Sequence, residues 1–137
     1  MYPAELTAPM SRELTSNGFE ELKTSAETEN VFSNSAGTML LMVNSVCGCA
    51  AGSARPGVLS SLQGDKRPDK LFTVFAGVDK EATATAREHL LPYPPSSPAI
   101  ALFKDGKLVH MIERHHIEGR TAEIISTHLK QVYNEFC

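Results

Sequence analysis

Two cysteines one residue apart, Cys47-Gly48-Cys49, are the part of this sequence best equipped for chemistry. They follow an apolar run, Thr38-Met39-Leu40-Leu41-Met42-Val43-Asn44, and precede a stretch from Ala50 to Leu62 that reads as a helix. A helix N-terminus carries unsatisfied N–H groups and a partial positive charge. That field stabilises a thiolate, so a cysteine at such a junction has a lowered pKa and raised nucleophilicity. Cys47, at or before the first turn, is the better placed, and Cys49 lies just behind it. Residues two apart on a helix point about 200° away from each other, so a disulfide across the pair must distort local backbone. Gly48 eases this by permitting dihedrals closed to other residues. Strained disulfides are the readily exchanged ones, and the chemistry implied is thiol–disulfide exchange.

The same thiols admit two other readings. Two thiolates can ligate zinc or an iron–sulfur cluster, although a structural zinc site normally takes four ligands and this chain carries a single close pair. A cluster shared between two chains would supply four. Alternatively the two are small buried thiols at a turn. Three cysteines are too few for a disulfide scaffold, and in a reducing cytosol a close pair is redox-active or metal-binding more often than structural.

The elements that must hold the pair can be read around it. The run at 38–44 suits a strand buried on both faces, as in a parallel sheet. Leu71-Phe72-Thr73-Val74-Phe75-Ala76 is a second such strand, and Asp79 to Leu91, rich in Ala and Glu, is a helix after it. Pro56 lies inside the helix that follows the cysteines, so a kink or break is expected there. Pro98 to Phe103 is a strand, Lys104-Asp105-Gly106-Lys107 a hairpin turn, and Leu108 to Ile112 its antiparallel partner. The final helix, from about Arg120, places Ile125, Leu129, Val132 and Phe136 on one face. Before the first strand, Pro9 to Asn17 reads as a short helix closed by Gly18. Thr24-Ser25-Ala26-Glu27 opens another as a capping box, with Val31 and Phe32 on its apolar side and Gly37 closing it. The whole is an α/β chain, βαβ followed by ββα, forming a central mixed sheet flanked by helices with an N-terminal helical extension. It is read as one domain over residues 1–137, with a helical part at 1–37 and a core at 38–137.

Composition narrows the partners. The chain has 137 residues, 42% hydrophobic and 21% charged, with a formal charge of -3, which suits one ordinary globular core. The absence of any Lys/Arg cluster argues against nucleic acid. The longest apolar run is far too short to span a bilayer, and residues 1–10 lack the apolar core of a signal peptide. A cytoplasmic protein that binds neither nucleic acid nor membrane is expected, its oligomeric state left open.

Taken together, a redox cysteine at a strand–helix junction, a later Ser-Pro opening a strand and a Lys-Asp-Gly hairpin resemble the thioredoxin fold. More narrowly, Val43-Asn44-Ser45-Val46-Cys47-Gly48-Cys49-Ala50-Ala51-Gly52, Val74-Phe75-Ala76-Gly77, Asp79-Lys80-Glu81-Ala82-Thr83-Ala84 and Pro95-Ser96-Ser97-Pro98 resemble the bacilliredoxin family. The stretch from Arg114 to Gly119 and the terminal Cys137 fit it too, so the resemblance covers essentially the whole chain. It implies removal of bacillithiol, a small thiol, from cysteines of S-bacillithiolated or otherwise oxidised proteins, with isomerase or oxidase activity as the alternative. It implies no tightly bound cofactor and no metal, bacillithiol being the exchanging thiol. By this resemblance Cys47 attacks the mixed disulfide, Cys49 resolves the adduct, and Pro98 is a cis proline that leaves the backbone of Ser97 to pair with an extended substrate. Where ordinary thioredoxins have Cys-x-x-Cys above a buried acid, this chain has Cys-x-Cys and Leu41. Asn44 and Ser45 can hydrogen-bond near the thiols but are poor bases.

Other residues invite roles. Cys137 lies beside the terminal carboxylate, which disfavours a thiolate, and is expected to be inert. His110, His115 and His116 suggest a metal, yet adjacent residues of an extended segment point to opposite sides, so His115 and His116 are not expected to share an ion. Arg55, two turns along from Cys47, either meets a carboxylate of the small thiol or is solvated. Gly52 reads as a point of close packing or substrate approach.

Overall fold

Residues 2–34 and 36–137 of the chain are described by a computed structural model. In chain order the elements are α1 (Ala4–Thr15), β1 (Glu20–Glu21), α2 (Ser25–Ser33), β2 (Thr38–Asn44), a π-helical turn (Ala50–Ala54) running into α3 (Arg55–Ser61), β3 (Lys70–Phe75), α4 (Lys80–Glu88), β4 (Ala99–Lys104), β5 (Lys107–Ile112), α5 (Arg114–Ile117) and α6 (Ala122–Phe136). The five strands form one sheet in the order β1-β3-β2-β4-β5. β2 is parallel to β3 and antiparallel to β4, so the mixed sheet expected from the sequence is present.

β2 lies at the centre and every one of its residues is buried. Side chains alternate across a strand, and this strand feeds two cores. Leu40 and Met42 join Val58, Ile125, Leu129 and Tyr133 under α3 and α6. Met39, Leu41 and Val43 join Phe32, Ala82 and Ala86 under α2 and α4. The helices therefore cover both faces, and the C-terminal end of β2 is the point where the buried sheet gives out into the loop that carries the cysteines.

Several boundaries follow from local chemistry. Thr24 caps α2 as expected: its hydroxyl accepts the Glu27 N–H at 3.1 Å, and the Glu27 carboxylate accepts the Thr24 N–H at 3.1 Å. The β4–β5 turn is a two-residue loop in which Asp105 and Gly106 have φ of 50° and 82°, the pair of positive values a type I′ hairpin demands. Asp105 also accepts from the Gly37 N–H at 2.8 Å and ties the turn to the start of β2.

Some elements differ from the sequence reading. α1 begins at Ala4 and carries Pro9 inside it, where a start at Pro9 was expected. The N-terminal part is not wholly helical, because Glu20–Glu21 pairs with β3 as a short edge strand; two residues are too few for periodicity to reveal. The break expected at Pro56 takes the form of the π-helical turn, with the Arg55 N–H reaching back five residues to the Ala50 carbonyl. Pro56 has no N–H for a carbonyl four residues back, and the wider turn carries the chain past it. The short α5 was not expected at all.

Candidate active site

The chain leaves β2 at Asn44 and turns through Ser45 and Val46 into Cys47. The Cys47 carbonyl accepts the N–H groups of Ala50 and Ala51 at 3.0 and 3.3 Å, so Cys47 stands at the head of the helix. What holds this turn is Arg55, a charged side chain only 1% exposed. Its Nη1 donates to Asn44 Oδ1 at 3.0 Å and to the Ser45 carbonyl at 2.8 Å. Its Nε donates to Glu13 of α1 at 2.9 Å. Asn44 Oδ1 further accepts the Ser45 N–H at 2.9 Å, and its amide donates to the Met10 carbonyl at 3.3 Å. A buried guanidinium is tolerated only when paired and hydrogen-bonded, and here it fastens the turn before Cys47 to both α1 and α3. Neither role expected for Arg55 holds: it is not solvated, and it is sealed away from any incoming carboxylate.

The two sulfurs face each other 2.6 Å apart, and both cysteines are partly exposed. Their acidities are driven in opposite directions. Burial pushes the Cys47 thiol up, but hydrogen bonds from the Cys49 thiol, the Ala50 N–H and the Ser45 hydroxyl, with the charge of Arg114, bring it below its ordinary value. Burial pushes the Cys49 thiol up, and donation to Cys47 and repulsion by the Cys47 charge raise it further. Gly48 is not what permits this approach, since its φ lies outside the left-handed region. A Cβ placed at Gly48 or at Gly52 meets nothing within 4 Å. Gly52 therefore serves no close packing, and open space lies beside both glycines.

β4 starts directly beside this turn. Val43 is paired with Ala99, and the Ser97–Pro98 peptide, one step further along, is cis. The Ser97 carbonyl accepts one hydrogen bond, from Arg114 Nη1 at 3.3 Å, which leaves it a second lone pair. The Arg114 N–H donates to Ser96 Oγ at 2.7 Å, so α5 is stitched to the loop that carries Ser97 and Pro98. Arg114 thus joins that loop electrostatically to both sulfurs, a connection the sequence does not announce: α5 is one turn long, and its start is marked only by Glu113 as cap.

The remaining candidates lie elsewhere or are engaged. Cys137 interacts with Thr38 at the start of β2, whereas Cys47 follows the end of that strand, about 20 Å away at strand rise. It therefore adds nothing to the pair. Burial, followed by repulsion from Asp69, raises its thiol. His115 and His116 sit on a helical turn, not in an extended segment, and their rings stand 4.0 Å apart. With Glu113 they bring ligating atoms within 4.8 Å of one another. However, His116 Nδ1 already accepts the Glu113 N–H at 3.1 Å, and the Glu113 carboxylate caps α5. His110 pairs instead with His128 of α6, Nε2 to Nε2 at 2.9 Å. Among the described residues no helix is long and apolar enough to cross a membrane.

Known proteins resemble this chain along nearly its whole length. Residues 2–137 match the family described as disulphide isomerase. The chain is 63% identical over 135 residues to a bacilliredoxin of Cytophaga hutchinsonii, covering 98% of this chain and 99% of that protein. It is 54% identical over 136 residues to a bacilliredoxin of Halalkalibacterium halodurans, covering 99% and 94%. Among solved structures, mitochondrial thioredoxin 3 of Saccharomyces cerevisiae aligns with a TM-score of 0.57 at 20% identity, over 90% of this chain and 98% of its own. Thioredoxin O2 of Arabidopsis thaliana aligns equally, with a TM-score of 0.57 at 18% identity, over 86% and 96%. These two likenesses are of fold, and they agree with the thioredoxin-like architecture expected from the sequence. With relatives this similar along nearly its entire length, the chain belongs to the bacilliredoxin family of thioredoxin-like thiol–disulfide redox proteins.

Proposed function

We propose that the protein removes bacillithiol from mixed disulfides on protein cysteines, with Cys47 as the attacking thiolate and Cys49 as the resolving thiol. The observation that carries this is the opposed acidity of two sulfurs 2.6 Å apart. A nucleophile must be a thiolate, and the second thiol should keep its proton until the first has reacted. Cys47 sulfur attacks the bacillithiol sulfur of the mixed disulfide and forms a new S–S bond. The old S–S bond breaks, and the protein sulfur leaves with the electron pair and takes up a proton. Cys49, having lost its proton, then attacks Cys47 sulfur and expels bacillithiol, leaving a Cys47–Cys49 disulfide for an external thiol to reduce. Each step moves one electron pair, and none needs a resident metal or cofactor. The partners are S-bacillithiolated or otherwise oxidised proteins in a reducing cytoplasm, and the Ser97–Pro98 loop is the surface they meet.

A second reading, disulfide isomerase or oxidase, is favoured by the description of the matched family. It uses the same first step on a protein disulfide. Intact mass of the Cys49→Ala variant after mixing with a bacillithiolated protein separates the two. A bacillithiol adduct on Cys47, with the substrate thiol released, is the expected outcome. Mixed disulfides with oxidised unfolded proteins, and no bacillithiol adduct, would move the assignment to the second reading. No reaction with either would defeat both.

A further inference from the structure

Arg114 presents a guanidinium that the protein leaves largely unengaged. Of its five N–H donors, one on Nη1 reaches an acceptor, the Ser97 carbonyl at 3.3 Å. Its Nε stands 3.6 Å from Glu118 Oε2, longer than a charge-assisted hydrogen bond, and the side chain is 45% exposed. Yet its charge favours the thiolate form at both Cys47 and Cys49. A groove of about 390 Å³ opens around it, between residues 94–97 and the turn of α5. That volume falls within the range of small-molecule sites.

We propose that Arg114 binds a carboxylate of the small thiol whose mixed disulfide Cys47 attacks, with this groove holding the body of that thiol. The inference rests on reading Cys47 as the attacking thiolate, and it gives Arg114 the role that Arg55, buried and bonded to Glu13, Asn44 and Ser45, does not fill. Two carboxylates share the groove. Glu113 is occupied as the cap of α5 and stands 3.9 Å from His115 Nε2. Glu118 is the group an incoming carboxylate displaces, and a long, exposed ion pair of this kind is worth little. The ligand class is therefore a small thiol bearing at least one carboxylate.

Two alkylating agents that consume the same thiolate test the site directly. Iodoacetate carries a carboxylate and iodoacetamide does not, so the ratio of their rates at Cys47 cancels any change in thiolate fraction. Arg114→Met lowers that ratio roughly five- to tenfold, and Glu118→Gln raises it. A ratio unmoved by both substitutions overturns the proposal. In exchange kinetics, Arg114→Met raises KM about tenfold more for a bacillithiolated peptide than for the same peptide joined to mercaptoethanol. Equal weakening of both adducts would trace the carboxylate to the peptide and overturn the assignment to the small thiol. If the native protein fails to act on the bacillithiolated peptide while the alkylation ratio still responds, the bacillithiol reading falls and the carboxylate site stands.

Discussion

A thiol beside a second thiol does not become more acidic by proximity alone; the direction of each hydrogen bond decides. Cys49 donates to Cys47, which stabilises charge on one sulfur by withholding it from the other. The pH profile of Cys47 alkylation by iodoacetamide therefore has its midpoint below that of an ordinary thiol. In Cys49→Ala it moves to higher pH, because the donor is gone while the burial remains. A profile unchanged by Cys49→Ala would assign the acidity of Cys47 to the Ala50 N–H, the Ser45 hydroxyl and the charge of Arg114. At this scale Cys47 and Cys49 were legible from type and spacing, and so was the cis bond at Pro98, through the family resemblance. Arg55 was not, because nothing in Ala54-Arg55-Pro56 says that this charge turns inward to meet Glu13, Asn44 and Ser45. Arg114 was missed for the opposite reason: it acts across space from an element too short to anticipate.

The helix behind the cysteines packs against α6, and Gly57 lies at that contact. A Cβ there would lie 2.8 Å from Ile125 Cγ2 and 3.0 Å from the Ala122 carbonyl oxygen. Two effects compete in Gly57→Ala. Helix propensity favours alanine by about 1 kcal/mol, while overpacking typically costs about 1–3 kcal/mol. Because one of the opposing atoms is backbone and cannot swing aside, the clash wins. Gly57→Ala lowers the denaturant midpoint, whereas Gly52→Ala, facing open space, does not. Equal midpoints for the two would show that α3 and α6 have room to move apart. Most elements could be located from the sequence, since β2, β3 and α6 carry long apolar patterns, and the Thr24 box and the Asp105-Gly106 turn are local signals. The π-helical turn was visible only as an expected fault at Pro56; how the chain accommodates a missing N–H depends on the carbonyls around it.

At the scale of the whole molecule, α3 and α6 meet over one face of the sheet through a buried polar link, Ser61 Oγ to Tyr133 Oη at 2.9 Å. Burial pushes the Tyr133 phenol up to about 12, against the opposing pull of the Ser61 hydroxyl. The folded protein therefore holds this proton at pH values where the unfolded chain, titrating near 10.0, has released it. The sign follows: the contribution is complete below the unfolded value and fades as pH rises from about 10 towards 12. Tyr133→Phe flattens the loss of stability across this range in thermal unfolding, and at neutral pH it forfeits about 1 kcal/mol with the hydrogen bond. A variant as steep as the native protein would place the alkaline sensitivity elsewhere. The sheet order has another consequence, at its margins. One outer strand is just two glutamates long, and the other, β5, pairs with its neighbour through a register shift near Leu102 and Phe103 and begins with a lysine. Short, charged or irregular borders offer little backbone for a foreign chain to extend. A thiol–disulfide redox protein with such borders can thus meet another protein at the cysteines without recruiting it into its own sheet.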